Sequence, residues 1–291
     1  MAQAINQFIS RHLVRSSPNL LRIILISALL VFCFSCEMKN PEELNSNEQP
    51  VGKFGSKNFH TDHELIIWEN SIDTILSSDS IPIVVDITIP ENYQEMILLC
   101  HQANSSRGEY IETAKILAQE GYASIAIDQR SGEKKNGVIN FTAASAKSKQ
   151  LKTEYLDAIP DIEAGIDFAY QLNNNQPIIC LGSSYSASLI LLIAKNNDKI
   201  KALSCFSPGE YLKDISLHDS ISGLKKPLFV TCANHEIEQT GNLLDSVSTD
   251  LYQFFKPKTE GMHGSSALWE TNPNNNNYWA ALKKWLQSLN P

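Results

Sequence analysis

Between residues 177 and 187 the sequence reads Pro177-Ile-Ile-Cys-Leu-Gly182-Ser183-Ser184-Tyr185-Ser186-Ala187. An apolar run that is typical of a buried strand leads here directly into an apolar helix, and small residues occupy the junction. A sharp strand-to-helix corner holds its central residue in a strained backbone conformation, so the residues two positions before and after it must be small. The stretch therefore predicts a nucleophile at the end of a buried strand.

The spacing of the small residues identifies Ser184 as the candidate nucleophile. Gly182 and Ser186, which lie two positions before and after it, are both small, whereas Ser183 has a leucine and a tyrosine at those positions. Ser186 also has small flanks, but it lies two residues farther from the strand and inside the predicted helix. The pattern departs from G-x-S-x-G only at its last position. A serine-rich helix cap is the alternative interpretation of the same residues.

Strands and helices alternate on both sides of this corner. Two runs, residues 64–68 and 81–89, flank polar turn residues and predict an antiparallel pair of strands. After them, apolar runs at 96–100, 122–127, 177–181, 202–206, 227–232 and 251–255 alternate with helical segments at 110–120, 155–172, 184–195 and from residue 265 or later to 289. Fully apolar strands are typical of a parallel sheet that helices cover on both faces. We expect one three-layer α/β domain, a long polar loop over residues 131–152, and a connection over residues 207–226 that is too short for a large lid.

A serine nucleophile needs a base, and the base needs an acid that orients it. Glu236 and His263 each come just after one of the last two predicted strands, and glycines flank the loop that holds His263. Because the carboxyl ends of parallel strands meet at one edge of a sheet, we expect Ser184, Glu236 and His263 to lie together there. Glu238 and Glu210 are alternative sources of the carboxylate.

The order serine, acid, histidine matches that of α/β-hydrolases, and residues 64–289 resemble this superfamily, most closely its dienelactone-hydrolase-like branch. The resemblance implies a mostly parallel eight-stranded sheet with helices on both faces. It also implies an oxyanion hole formed by the backbone N–H groups of Tyr185 and Gln102, although Gln102 stands where the family usually has the glycine of a His-Gly pair. The turn Asp128-Gln-Arg-Ser-Gly132 resembles the family's D-x-R-x-G turn, which implies a structural role for Arg130, with substrate contact as the alternative.

The first 58 residues predict an export signal and a tether. Residues 1–35 place three arginines before an apolar run of about 12 residues, whereas a membrane-spanning helix needs about 20. The end of this segment resembles a bacterial lipoprotein signal, which predicts lipid attachment at Cys36; a soluble secreted form is the alternative. Residues 36–58 are polar and turn-rich and predict a flexible tether, which leaves residues 59–291 as the hydrolase domain. The protein is therefore expected in the cell envelope or periplasm, anchored to a membrane through its N-terminal lipid.

The composition excludes several classes of protein. With 43% apolar and 19% charged residues, the 291-residue chain is neither disordered nor fibrous. Beyond residue 35 it has 21 basic and 32 acidic residues, and this net charge of −11 argues against nucleic-acid binding. His60 and His63 have metal-like spacing, but two ligands make no site, so no metal or cofactor is predicted. Four cysteines of the domain lie at the ends of apolar runs and are expected to be buried thiols: Cys100, Cys180, Cys205 and Cys232.

These features together predict an exported serine hydrolase that cleaves a carboxylic ester or a related acyl bond of a small molecule through an acyl-enzyme, with peptidase activity as a variant. The alternative is a non-catalytic member that keeps the fold as a binding or surface-interaction module, because Gln102, Ser186 and Glu236 depart from the family pattern. Geometry separates the two. The binding module is favoured if the Ser184 hydroxyl lies beyond hydrogen-bond reach of His263, or if no carboxylate lies near the other imidazole nitrogen.

Overall fold

The computed structural model describes residues 68–289. Its strands are β1 (Trp68–Leu76), β2 (Pro82–Pro90), β3 (Met96–Cys100), β4 (Ala123–Ile127), β5 (Lys134–Lys135), β6 (Val138–Ile139), β7 (Ile178–Ser183), β8 (Ile200–Phe206), β9 (Leu228–Thr231) and β10 (Tyr252–Phe255). Its α-helices are α1 (Ile111–Gln119), α2 (Phe141–Ser148), α3 (Ile159–Leu172), α4 (Tyr185–Ala194), α5 (Leu217–Ser220), α6 (Ile237–Leu244) and α7 (Asn275–Ser288). None of these helices is both long and apolar enough to cross a bilayer. The predictions of a signal peptide, of lipid attachment at Cys36 and of a tether fall outside the described residues.

Eight of the strands form one sheet in the order β1-β2-β4-β3-β7-β8-β9-β10. β2 pairs antiparallel with both β1 and β4, and the remaining neighbours pair in parallel. The predicted mostly parallel, eight-stranded sheet is therefore confirmed. β7 lies near the centre of the sheet, so the corner at its carboxyl end is supported by strands on both sides.

Helices cover both faces of this sheet. Leu98 of β3 packs in one apolar cluster with Ile162 of α3, whereas its neighbour Leu99 packs in a second cluster with Leu117 of α1 and Trp285 of α7. Side chains that alternate along a strand point to opposite faces, so the two clusters lie on the two sides of the sheet. The three-layer α/β architecture is confirmed, and β3, β4 and β7 are buried along their whole length.

The first predicted strand, residues 64–68, lies outside the described residues except for Trp68. β1 begins there and runs to Leu76 through a mostly polar segment that the sequence analysis did not assign to a strand. β1 is an edge strand that pairs only with β2, and most of its side chains are exposed, including Ile72 and Leu76. An exposed edge strand needs no alternation of apolar and polar residues, so its sequence carries little strand signal.

Residues 131–152 are not the continuous loop that the sequence predicts. They contain the β5–β6 hairpin and the helix α2. Asn136 and Gly137 both have positive φ at the hairpin turn, a conformation that Asn-Gly pairs favour. The Asn140 side chain accepts a hydrogen bond from the Ala143 N–H and caps α2.

The last helix begins well after residue 265, the earliest start that the sequence predicts. α7 starts at Asn275, and a 3-10 turn over Gly264–Leu268 occupies the start of the predicted segment. Pro273 lies between the turn and the helix, and proline is poorly tolerated inside a helix. The residues that follow His263 are therefore folded as a separate turn.

The connection between β8 and β9 is short, as predicted. It runs from residue 207 to residue 227 and contains only the four-residue helix α5. A connection of this length does not form a large lid, so the carboxyl ends of the neighbouring strands are accessible from this side.

Arg130 holds the turn after β4 in place. Its guanidinium is almost fully buried and pairs with Asp161 of α3 at 2.7 Å and with Asp79 at 2.6 Å. Its Nε also donates to Asp161, so each of the three guanidinium nitrogens donates to a carboxylate. These contacts favour the structural interpretation of Arg130 over substrate contact.

Replacing Asp161 by asparagine is expected to lower the free energy of unfolding by about 3 to 5 kcal/mol, because it leaves a buried guanidinium without one of its partners. Urea unfolding followed by circular dichroism measures the loss. Asp167→Asn on the same helix is the matched control: its pair with Lys199 is exposed and should contribute less than about 1 kcal/mol. Equal losses in the two variants would contradict the assigned role.

Candidate active site

Ser184 occupies the corner between β7 and α4. Its backbone has φ 57° and ψ −126°, a conformation that non-glycine residues rarely adopt. A Cβ atom at Gly182 would lie 2.7 Å from the backbone of Ala187, so only glycine fits there. The neighbouring hydroxyls are engaged elsewhere, since Ser183 accepts from the Ser265 N–H and Ser186 donates to the His101 carbonyl. Of the three serines that the sequence offers, Ser184 is the one at the corner.

His263 lies between Ser184 and Glu236. Its Nε2 is 2.8 Å from the Ser184 hydroxyl oxygen, and its Nδ1 is 2.5 Å from Oε1 of Glu236. A carboxylate beside Nδ1 favours the tautomer that has its proton there, which leaves Nε2 to accept the serine proton. The structure therefore brings together the three side chains that the sequence proposes for catalysis.

Glu236, rather than the two alternative carboxylates, reaches the histidine. Glu210 accepts hydrogen bonds from the backbone N–H groups of Leu217 and His218, and Glu238 is exposed on α6. The 3-10 turn Asn234–Glu236 follows β9 directly and aims the Glu236 side chain back towards the sheet edge. The position of this turn settles which carboxylate contacts His263.

The surroundings of Glu236 favour its ionised form. Burial raises the pKa of this carboxyl, but hydrogen bonds from His263, Ser207 and the Ala233 N–H outweigh burial and lower the pKa to about 2. The Ser207 hydroxyl that donates to Glu236 also accepts the Gly264 N–H at 2.9 Å. The acid and the histidine loop are thus held together through one serine.

The lowered pKa of Glu236 predicts a stability difference at acidic pH. Ionised Glu236 stabilises the folded state fully above about pH 4.5, its ordinary pKa, and this contribution is lost as the pH falls towards 2. Between pH 5 and pH 3 the melting temperature of the wild type should therefore fall further than that of Glu236→Gln. Circular dichroism melts at pH 5, 4 and 3 measure both, and parallel curves would contradict the assignment.

The two predicted oxyanion donors differ in the structure. The Tyr185 N–H lies in the first turn of α4, where no intrahelical acceptor exists, so it is suited to receive an oxyanion. The Gln102 N–H instead donates to Oε2 of Glu109 at 3.0 Å, and the Gln102 carbonyl is 2.7 Å from Nδ1 of His101. The prediction for Gln102 therefore does not match this conformation, because its N–H is turned into the protein towards a buried carboxylate.

Glu109 is a residue of this site that the sequence analysis missed. It is fully buried in the 3-10 turn Arg107–Tyr110, and it contacts both the segment after β3 and the segment after His263. A glutamate directly before a predicted helix is common, since acidic residues favour helix N-termini. No local signal in the sequence indicates that this side chain points inward.

Two tyrosines border the nucleophile. The Tyr211 ring meets His263 edge-on with centroids 6.5 Å apart, and the Tyr155 ring stacks on Tyr185 at 4.4 Å. Burial raises the pKa of Tyr211 to about 12, so its hydroxyl keeps its proton at neutral pH. A cleft of about 500 Å³ begins at Tyr211, and its lining combines polar and apolar surface: Gly209, Glu210, Tyr211, His218, Gln239, Asn242 and Leu243.

Among residues 68–289, no cluster of three or more His, Cys, Asp or Glu side chains is arranged to hold a metal ion. The four cysteines of this region are free and buried, as predicted, and burial raises the pKa of each thiol: Cys100, Cys180, Cys205 and Cys232. The four thiols therefore keep their protons, and Ser184 is the candidate nucleophile.

Comparison with known proteins places this arrangement in a family. The sequence model described as serine aminopeptidase, S33, matches residues 91–252, which is more than half of the chain. No curated protein matches the sequence significantly.

Solved structures share the fold at low identity. An esterase from Pyrococcus furiosus is 16% identical over 76% of this chain and 93% of its own, with a TM-score of 0.61. A dienelactone hydrolase from Anabaena variabilis is 15% identical over 76% and 98%, with a TM-score of 0.60. Est1E from Butyrivibrio proteoclasticus, solved with ferulic acid, is 16% identical over 73% and 97%, with a TM-score of 0.57. Family match, sheet topology and corner agree, and the chain belongs to the serine aminopeptidase (S33) family of α/β-hydrolases.

Proposed function

We propose that the protein is a serine hydrolase that cleaves carboxylic esters of small molecules through an acyl-enzyme on Ser184. One observation carries the proposal: the hydrogen-bonded series Ser184, His263, Glu236 at a strained strand-to-helix corner. Both geometric conditions that would favour a non-catalytic binding module are absent from this site. Nucleophile, base and orienting acid within hydrogen-bond reach are the arrangement that acyl transfer needs.

The geometry supports a two-step reaction. Nε2 of His263 takes the Ser184 proton as the serine oxygen attacks the ester carbonyl, and the resulting oxyanion is stabilised by the Tyr185 N–H. His263 then gives that proton to the leaving alcohol as the carbon–oxygen bond breaks. Water, deprotonated by the same nitrogen, attacks the acyl-enzyme, and His263 returns that proton to the Ser184 oxygen as its bond to the acyl carbon breaks and the carboxylic acid leaves. Ionised Glu236 stabilises the imidazolium that forms in each step.

Esters are the first substrate class to test, because proteins named esterase and dienelactone hydrolase share the fold and because the site has no large lid. An aminopeptidase is the second candidate, favoured by the description of the family. Ester cleavage is the preferred proposal because the esterase and the dienelactone hydrolase match this chain over nearly their whole length.

A fluorophosphonate probe tests the proposal without knowledge of the substrate. We expect the purified protein to be labelled at Ser184, as mapped by mass spectrometry, and to hydrolyse p-nitrophenyl acetate faster than leucine p-nitroanilide. Faster cleavage of the anilide would favour the aminopeptidase. A folded protein that is neither labelled nor active on any ester would refute the serine hydrolase and favour the binding module.

We also propose that the protein is exported and attached to a membrane through lipid on Cys36. The arginines, the apolar run and the cysteine within residues 1–36 support this proposal. Metabolic labelling with a radioactive fatty acid tests it: the wild type should incorporate label and Cys36→Ser should not. An unmodified N-terminus in the wild type would refute it.

A further inference from the structure

Glu109 is a buried acid without a basic partner. Its side chain is 0% exposed, and among residues 68–289 no lysine, arginine or histidine lies within ion-pair distance of it. Arg107, two residues earlier, is bound to Asp86 and Asp128 instead. Burying a carboxylate without a cation is unfavourable, and folding alone gives no reason to retain one at this position.

The two oxygens of Glu109 join the two loops that border Ser184. Oε2 accepts the Gln102 N–H at 3.0 Å in the segment after β3, and Oε1 accepts the Ser265 hydroxyl in the turn that follows His263. The Glu109 carbonyl also accepts Nε1–H of Trp269 at 3.0 Å, at the end of the same turn. One residue thus fixes the distance between the segment after β3 and the histidine loop.

The same contacts extend to the nucleophile. The Ser265 N–H donates at 2.8 Å to the hydroxyl of Ser183, the residue before Ser184. Packing is tight here, because a Cβ atom at Gly264 would lie 2.5 Å from the Ser183 hydroxyl oxygen and 2.8 Å from Oε1 of Gln102. A displacement of either loop would therefore be transmitted to the corner.

We propose that Glu109 is a positioning residue for the acyl-transfer site. Its carboxylate sets the segment after β3 against the His263 loop, so that His263 and the corner at Ser184 are held in their relative positions before the reaction begins. Glu109 touches neither Ser184 nor His263, so it acts through Gln102 and Ser265. The inference rests on the proposed function, because it concerns the rate of the same reaction.

Two substitutions separate hydrogen bonding from charge. Glu109→Leu has a similar volume but no acceptor, and it should lower kcat for p-nitrophenyl acetate about 100-fold with KM changed less than about twofold, since a displacement of about 1 Å at a reacting centre has an effect of that size. Glu109→Gln can accept the Gln102 N–H and donate to the Ser265 hydroxyl, so it should stay within about threefold of the wild type. Glu112→Leu, exposed on α1, is the matched control and should leave the rate unchanged.

The outcomes are distinct. Wild-type kcat in Glu109→Leu would overturn the inference and leave the proposed function intact, whereas an inactive wild type would refute the proposed function itself. Equal loss in the Gln and Leu variants would show that charge, not hydrogen bonding, matters, and would also overturn the positioning role. If Glu109→Leu fails to fold, Ser265→Ala removes one of the two hydrogen bonds, and a kcat within threefold of the wild type would then overturn it.

Discussion

Replacement of Ser184 by alanine is expected to lower kcat for p-nitrophenyl acetate by about 10⁴-fold or more, the range for loss of the nucleophile in a serine triad. The alanine keeps the corner but leaves His263 without a hydroxyl to deprotonate. Because the change removes no binding surface apart from one oxygen, KM should stay within about twofold. Steady-state kinetics and fluorophosphonate labelling measure the two effects.

Ser186→Ala is the matched control for this variant. Ser186 lies two residues farther along, and its hydroxyl is bound to the His101 carbonyl rather than to His263. We expect this variant to keep at least about a tenth of the wild-type rate, because only two supporting hydrogen bonds are lost, one to His101 and one from Gln129. Retained activity in Ser184→Ala, or an equally deep loss in Ser186→Ala, would show that the nucleophile is misassigned.

Replacement of Glu236 by glutamine is expected to lower kcat by about 10⁴-fold, which is the effect of an acid-to-amide change in a comparable triad. A glutamine can turn its amide N–H towards Nδ1 of His263, and this favours the tautomer whose proton is on Nε2. That proton would face the Ser184 hydroxyl, so the histidine could no longer accept from it. The pH–rate profile and kcat at neutral pH measure the loss.

Glu238→Gln is the corresponding control, since Glu238 follows by two residues and is exposed on α6. Its rate should stay within about twofold of the wild type. A loss in Glu238→Gln or Glu210→Gln as deep as that in Glu236→Gln would mean that the acid is supplied elsewhere when substrate is bound.

The sequence predicts the fold and the nucleophile well because both depend on local signals. Buried parallel strands are apolar runs, and the small residues around Ser184 are dictated by one strained backbone position. The hairpin at Asn136-Gly137 also had a local signal, but the surrounding lysines and serines resemble a loop. The sequence of β1 carries almost no strand signal, because an edge strand that is exposed on both faces has no apolar face.

The remaining features depend on how loops are folded. The sequence favours Glu236 but leaves Glu238 and Glu210 open as alternatives, and the 3-10 turn after β9 decides which one reaches His263. The direction of the Gln102 N–H depends on Glu109, seven residues away, and no residue pattern encodes that bond. Backbone direction and long-range hydrogen bonds are therefore the part of this site that sequence reasoning could not supply.

The short connection between β8 and β9 has a consequence for how the enzyme could diversify. The sheet and its two apolar clusters supply the stability, while the connection carries Tyr211 beside His263 and has little structure of its own apart from α5. Extra residues in an accessible loop add little closure entropy, since doubling a loop's length costs only about 0.6 kcal/mol. Lengthening this connection would therefore be the least costly route from an accessible site to a capped, more selective one, without altering a single strand.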